Sequence, residues 1–268
     1  MTTLVAVVLG AMLVSAAPDE PAAPVAPAEA AAPDGPAPVP SLEEVTRKLD
    51  DLYRSSASHG EMVMKVKTKH FAREIGLEMW SKGEERSLAV IRSPARESGT
   101  ASLKTEKGLW TYAPRADRLL RIPSGMLSES WMGSHFTNDD LLKQSSWYRD
   151  YETTLKWVDR DGKRQLEMTS IPKPDAPVVY TRIVQWLDGA SWIPIQADYF
   201  DGKTVIRTMH FRDIKDFQGR KIPTKIELIP HDAPGERTEV LYRSMTFDAN
   251  IADELFSPRG LRRATQTR

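Results

Sequence analysis

Residues able to do chemistry are few and dispersed in this sequence of 268 residues. The five histidines, His59, His70, His135, His210 and His231, stand singly. None has the His-x-x-x-His or His-Glu-x-x-His spacing by which a helix offers two imidazoles to zinc. There is no cysteine, which removes disulfides, thiolate metal sites, thiol nucleophiles and lipidation through an N-terminal cysteine. No Gly-rich phosphate loop and no nucleophile elbow is present. Four carboxylates, Glu74, Glu78, Asp139 and Asp140, are the candidates an enzyme acting on lipid or glycan would have to use. Asp139 and Asp140 could hold a cation, but the first turn of a helix uses the same pair without one. The expectation is a protein that is not an enzyme, with no catalytic residues, no metal and no cofactor.

The charges point the same way. Lys plus Arg and Asp plus Glu balance at 37 each, and the first forty residues hold four acids (Asp19, Glu20, Glu29, Asp34) and no base. That leaves 37 bases against 33 acids after residue 40, a net +4. Such a surface suits anionic headgroups and is far from a nucleic-acid footprint. Aromatic residues fall among acids as often as among bases, so no base-stacking platform is indicated.

What remains to act is apolar surface, and the elements that would position it can be read in order. Leu4 to Val14 is an apolar run too short for a typical membrane span, followed by Ser15, Ala16 and Ala17. It reads as a secretory signal peptide over residues 1–16, although no Lys or Arg stands in its short n-region. Residues 17–40 are almost entirely Ala and Pro with a few acids, a disordered and fairly stiff tether. A folded domain is expected over 41–268. Ser41 and Glu44 form a capping box, and Leu42, Val45, Leu49 and Leu52 follow helical spacing.

Alternation with period two then takes over, the mark of strands with one buried face. It runs through Met62, Met64 and Val66, then Ile75, Leu77 and Met79, Leu88 and Val90, Ala101 and Leu103, Trp110 and Tyr112, Leu120 and Ile122. It resumes from Thr154 to Phe247, punctuated by Asp161-Gly162, Asp188-Gly189, Asp201-Gly202 and Gln218-Gly219. The fold class is mainly β with few helices: about ten to twelve antiparallel strands in one sheet, which must curl or close to manage its edges. The segment from Met126 to Tyr151 breaks the pattern. Thr137 is an N-cap with Asp140 three residues on, and Leu141, Leu142, Trp147 and Tyr148 give the new helix an apolar side. It reads either as a crossover helix or as a mobile lid over an apolar space. The methionines facing inward, Met62, Met64, Met79, Met126 and Met132, are either core residues or an adaptable surface for apolar ligands.

Several motifs resemble the outer-membrane lipoprotein-sorting proteins, relatives of the periplasmic carrier LolA. They are Met79-Trp80-Ser81-Lys82-Gly83, Ser93-Pro94-Ala95-Arg96 with Gly99-Thr100-Ala101, Leu109-Trp110-x-Tyr112-x-Pro114 and Asn250-Ile251-x-Asp253-x-Leu255-Phe256. The most specific is the run from Trp131 through Gly133, Phe136 and Asp140 to Leu141; members usually carry Asp where His135 stands. The resemblance spans residues 41–268. It implies a half-open antiparallel β-barrel whose helices cover an apolar cavity for acyl chains, and it implies no enzymatic activity.

On that resemblance the protein is expected to be a periplasmic monomer. It would bind acyl chains of a lipid or lipoprotein and move them from an inner-membrane exporter, of RND or ABC type, toward an outer-membrane acceptor. The cavity is expected at Met62, Met64, Val66, Leu77, Met79, Leu88, Val90, Leu103, Trp110 and Tyr112. Its lid and rim are expected at Met126, Trp131, Met132, Gly133, Phe136, Leu141 and Leu142. The same fold also resembles periplasmic sensors that bind lipid or lipoprotein and regulate a membrane signalling partner, which is the alternative function.

Overall fold

A computed structural model describes residues 38–142, 150–176 and 178–266. The expected signal peptide, nearly all of the tether, and Trp147 and Tyr148 lie outside the described residues.

Helix α1 (Leu42–Tyr53) begins at the expected capping box: Glu44 N donates to Ser41 Oγ at 3.2 Å, and Ser41 N to Glu44 Oε2 at 2.9 Å. Thirteen strands follow in two meanders, β1–β6 (Ala57–Lys67, Ala72–Lys82, Arg86–Ser93, Ala101–Thr105, Gly108–Ala113, Arg118–Arg121) and β7–β13. The second meander comprises Tyr151–Arg160, Lys163–Pro172, Arg182–Asp188, Pro194–Asp201, Thr204–Phe217, Arg220–Pro230 and Arg237–Phe247. Between the meanders lie 3-10 turns at Ser124–Met126 and Trp131–Gly133 and helix α2 (Asn138–Leu142); helix α3 (Pro258–Gln266) ends the fold.

All thirteen strands form one antiparallel sheet that does not close, in the order β6-β5-β4-β3-β2-β1-β13-β12-β11-β10-β9-β8-β7. The join is β1 against β13, from Ser58↔Phe247 to Lys67↔Arg237 with a bulge at Glu61/Met62. Because the first strand pairs with the last, β6 and β7 become the two edges. Of the chain that connects them, Trp131, Met132, Phe136 and Leu141 pack on the inner side of the sheet.

Local turn chemistry holds at most hairpins. Asp161-Gly162 and Gln218-Gly219 both take positive φ at the two turn residues, the geometry that matches strand twist. Asp188-Gly189 differs, opening a longer turn in which Trp192 carries the left-handed φ of 56°.

Both faces of the first meander are covered. On the inner face Met62, Met64, Val66, Ile75, Leu77, Ala89 and Ile91 pack under Trp131. On the outer face Leu88, Val90, Ala101, Leu103 and Tyr112 pack under Ile251, Phe256 and Leu261 of the C-terminal segment, with Trp80 and Trp110 at the margin. This corrects the expected cavity set: Leu88, Val90, Leu103, Trp110 and Tyr112 face away from it. Leu88 to Ile91 are all buried, so alternation there reveals the period but not which face is concave.

Helix α3 is seated by close backbone approach. A Cβ at Gly260 would lie 2.0 Å from the Glu254 carbonyl oxygen. Gly260→Ala should therefore lower the melting temperature, although Gly→Ala usually favours a helix. Overpacking of about 1–3 kcal/mol corresponds to several degrees in a domain of this size, at about 2–4 °C per kcal/mol. A thermal scan by circular dichroism reads the shift, and a rise would mean that α3 is not docked in this way.

Candidate ligand cavity and lid

A cavity of about 310 Å³ lies between the inner face of the sheet, α1 and the β6–β7 connection. Met62, Met79, Ala89 and Leu109 line it from the first meander, and Ile183, Ala197, Met209 and Ile226 from the second. Leu49, Leu52 and Tyr53 of α1 close one side, and Trp131, Phe136 and Leu141 another. Of the expected cavity residues, Met62 and Met79 border this space. Met64, Val66 and Leu77 lie in the packed cluster beside it, against Trp131, Met132, Phe136 and Leu141.

The lid segment is held by specific hydrogen bonds. Trp131 Nε1 donates to Ser102 Oγ at 2.9 Å on the inner face of β4, and Trp131 N to the Phe136 carbonyl at 2.7 Å. Met132 and Gly133 both adopt left-handed backbone, at φ 50° and 65°, and Arg73 Nη2 donates to the Met132 carbonyl at 2.7 Å. A left-handed methionine is sterically costly and persists because these contacts fix it. Met126 stays on the outer rim, 47% exposed, its carbonyl accepting from Asn138 Nδ2. Leu142 is half-buried at the end of α2.

His135 fastens the lid to β13. Its backbone N–H donates to Thr238 Oγ1 at 3.0 Å; its Nδ1 lies 2.8 Å from the same oxygen and its Nε2 3.1 Å from Glu236 Oε2. The Lys69 backbone N–H and His135 together hold the Glu236 carboxyl below its ordinary range.

The strongest tie is Asp140 to Arg207. Thr137 and Asp140 form the expected capping box, with Asp140 N donating to Thr137 Oγ1 at 3.2 Å and Thr137 N to Asp140 Oδ2 at 2.7 Å. The same carboxylate accepts two hydrogen bonds from Arg207, at 2.8 Å from Nη1 and 2.5 Å from Nη2. Arg207 is 5% exposed, and its guanidinium lies 4.4 Å from the ring centre of Tyr180 and 4.1 Å from that of Tyr199. Burial opposes the arginine's charge, but Asp140 and the two tyrosines outweigh it and raise its pKa. Burial also pushes the Tyr199 hydroxyl up to about 12. Arg207 escaped the sequence reading, although its place in the Arg207, Met209, Phe211 alternation, a charge on a core face, is a legible signal.

The four candidate carboxylates do not converge. Glu78 accepts from Arg92 Nε at 2.6 Å and approaches His59 on the outer face, and Glu74 pairs with Lys65 at the surface. Asp139 and Asp140 belong to the lid. Among the described residues no cluster of three or more His, Cys, Asp or Glu could hold a metal ion.

A family model described as "-like: Uncharacterized protein" matches residues 83–263, more than half of the chain. The chain belongs to that family, and its fold is LolA-like. Among solved structures, a domain from Vibrio parahaemolyticus provisionally designated an outer membrane lipoprotein-sorting protein is 24% identical with a TM-score of 0.71. The match covers 82% of this chain and 97% of that one. A DUF1329 family protein from Desulfovibrio piger is 23% identical at a TM-score of 0.73, over 81% and 96% of the two chains. A LolA superfamily protein from Nitrosomonas europaea is 20% identical at 0.68, over 80% and 96%. No curated protein matches the chain significantly. In this LolA-like frame the β6–β7 connection occupies the mouth of the half-barrel.

Asp140→Leu strands the buried Arg207 charge and should cost about 3–5 kcal/mol. Adding Arg207→Met should recover most of that stability while leaving the lid without its ionic tie. Urea unfolding reads the first effect, and faster hydrogen exchange over 131–142 in the double variant reads the second. Equal stability of wild type and Asp140→Leu would show that the pair does not hold the lid.

Proposed function

We propose that the protein is a periplasmic carrier that takes the acyl chains of a lipid or lipoprotein into this cavity. It would shuttle them from an inner-membrane exporter toward the outer membrane. The observation that carries the reading is an apolar cavity inside an open sheet, closed by a segment tied down through one buried ion pair. Exposing an acyl chain to water costs roughly 0.8 kcal/mol per CH₂, so a chain of sixteen carbons would cost on the order of 12 kcal/mol. A shuttle must offset nearly all of that, and a lining of Met, Leu, Ile, Phe and Trp does so without demanding one ligand shape. The lipoprotein-sorting designation of the Vibrio neighbour supports the same reading. Among the described residues no helix is long and apolar enough to cross a membrane.

Loading requires the lid to move, and a ligand or donor drives that only through higher affinity for the open form. Opening the lid breaks the Arg207–Asp140 tie. Within the carrier reading, the left-handed Gly133 is where the lid loop bends; a Cβ there would meet the Arg73 guanidinium at 3.8 Å.

Native mass spectrometry with lipid extraction, on protein purified from periplasm without detergent, should find an acyl-chain species at about one per chain. Ala197→Trp, which projects into the cavity from β10, should leave the fold intact and cut uptake of a fluorescent fatty acid more than tenfold. An empty protein whose wild-type cavity takes up no such probe would overturn the carrier reading.

A further inference from the structure

The cavity lining is not wholly apolar: Asp139, Asp140 and Gln185 border it from the lid and β9, and a further polar stretch lies toward α1. Ser87, Ser102 and Lys104 face the cavity from β3 and β4, and Asp50 and Arg54 face it from the last turn of α1. Lys104 is only 4% exposed, and its ammonium donates to the Glu84 carbonyl oxygen at 3.0 Å. Arg54 pairs with Asp50 at 2.5 Å, and the two side chains are 14% and 26% exposed. Asp50 and Arg54 also border a second hollow, of about 500 Å³, that runs along the polar side of α1 past Thr46 and Arg47 to Gly83 and Glu84. The pair thus belongs at once to the greasy interior and to a polar groove open to water.

A buried ammonium is costly, and an apolar residue at position 104 would simply extend the lining begun by Ala89 and Leu109. Two cations on the lining of a largely apolar space match an amphiphile, with its chain in the greasy part and its charge beside them. Asp50 serves as the resident counter-ion for Arg54, and burial raises its carboxyl above the ordinary value despite that partner. A ligand anion arriving through the groove can take over that role.

We infer that Lys104 and Arg54 form a headgroup subsite for a single-chain amphiphile with a compact anionic head, a carboxylate or a phosphate monoester. The inference rests on the carrier reading and adds to it a charge selectivity that acyl-chain burial alone would not produce. At about 310 Å³ the cavity is at the lower end of the ~300–1,000 Å³ range of ligand sites, which suits one chain-bearing molecule.

The test is displacement of the neutral probe N-phenyl-1-naphthylamine from the delipidated protein by dodecanol, dodecanoate and dodecyl phosphate at one pH and salt concentration. The two anions should compete at about tenfold lower concentration than the alcohol. Lys104→Met should erase that gap while leaving dodecanol competition unchanged, and Arg54→Gln should narrow it. Arg54→Gln carries the test if Lys104→Met proves unfolded by thermal scan. The ranking of dodecanoate against dodecyl phosphate tells a fatty acid from a phospholipid-type head. Equal competition by all three ligands, or a gap that survives in the folded variants, overturns the subsite and leaves the carrier reading standing. Failure of the wild type to bind the probe or any of the ligands overturns both.

Discussion

The pairing of β1 with β13 is the constraint on which the rest of the molecule depends. These strands are separated by most of the folded chain, yet they exchange backbone hydrogen bonds from Ser58↔Phe247 to Lys67↔Arg237. Joining the two meanders there leaves β6 and β7, neighbours in sequence, at opposite edges of an unclosed sheet. Their connection has to span the mouth, and a connection in that place becomes a cover. An up-and-down order with the join elsewhere would have left the same residues as an ordinary surface loop.

A cover over an apolar cavity meets two opposing demands. In the carrier reading it must exclude water when closed, and it must be able to leave. Apolar contacts alone, from Trp131, Phe136 and Leu141, are non-directional and would let the segment slide. Directional bonds fix its register: Trp131 to Ser102, His135 to Thr238 and Glu236, and Asp140 to Arg207. A buried ion pair adds little net stability over an apolar replacement, because desolvation offsets most of the Coulomb gain. Its use here is positional. Asp140 serves two masters, closing the capping box of α2 and receiving the Arg207 fork, so formation of the helix and closure of the lid share one carboxylate. The left-handed backbone at Met132 places strain at the start of the same segment, and Gly133 takes the next left-handed position without it.

Covering the sheet on both sides of its first half has a further consequence. Helix α3 and the preceding turn bury Leu88, Val90 and Leu103 on the outer face, so the core of that half does not depend on the cavity being filled. Lys104, Asp50 and Arg54 lie on the inner side, away from that outer core.

Much of this was legible in the residues. The strand runs appear near their expected places, although thirteen strands form where ten to twelve were expected; the capping boxes at Ser41/Glu44 and Thr137/Asp140 form, and Asp161-Gly162 makes its hairpin. These are local matters, decided by side-chain period and by hydrogen bonds between residues three or four apart. The break in the pattern after Met126 was equally visible, because lost alternation is a local signal. Which face of each strand looks into the cavity was not. Leu88 and Val90 alternate as regularly as Met62 and Met64, yet they point the other way, and period two cannot distinguish two faces that are both buried. Nor could Arg207 and Asp140 be paired in advance. Their proximity is made by the β1–β13 join and the path of the lid, contacts between distant parts of the chain that only the tertiary structure decides.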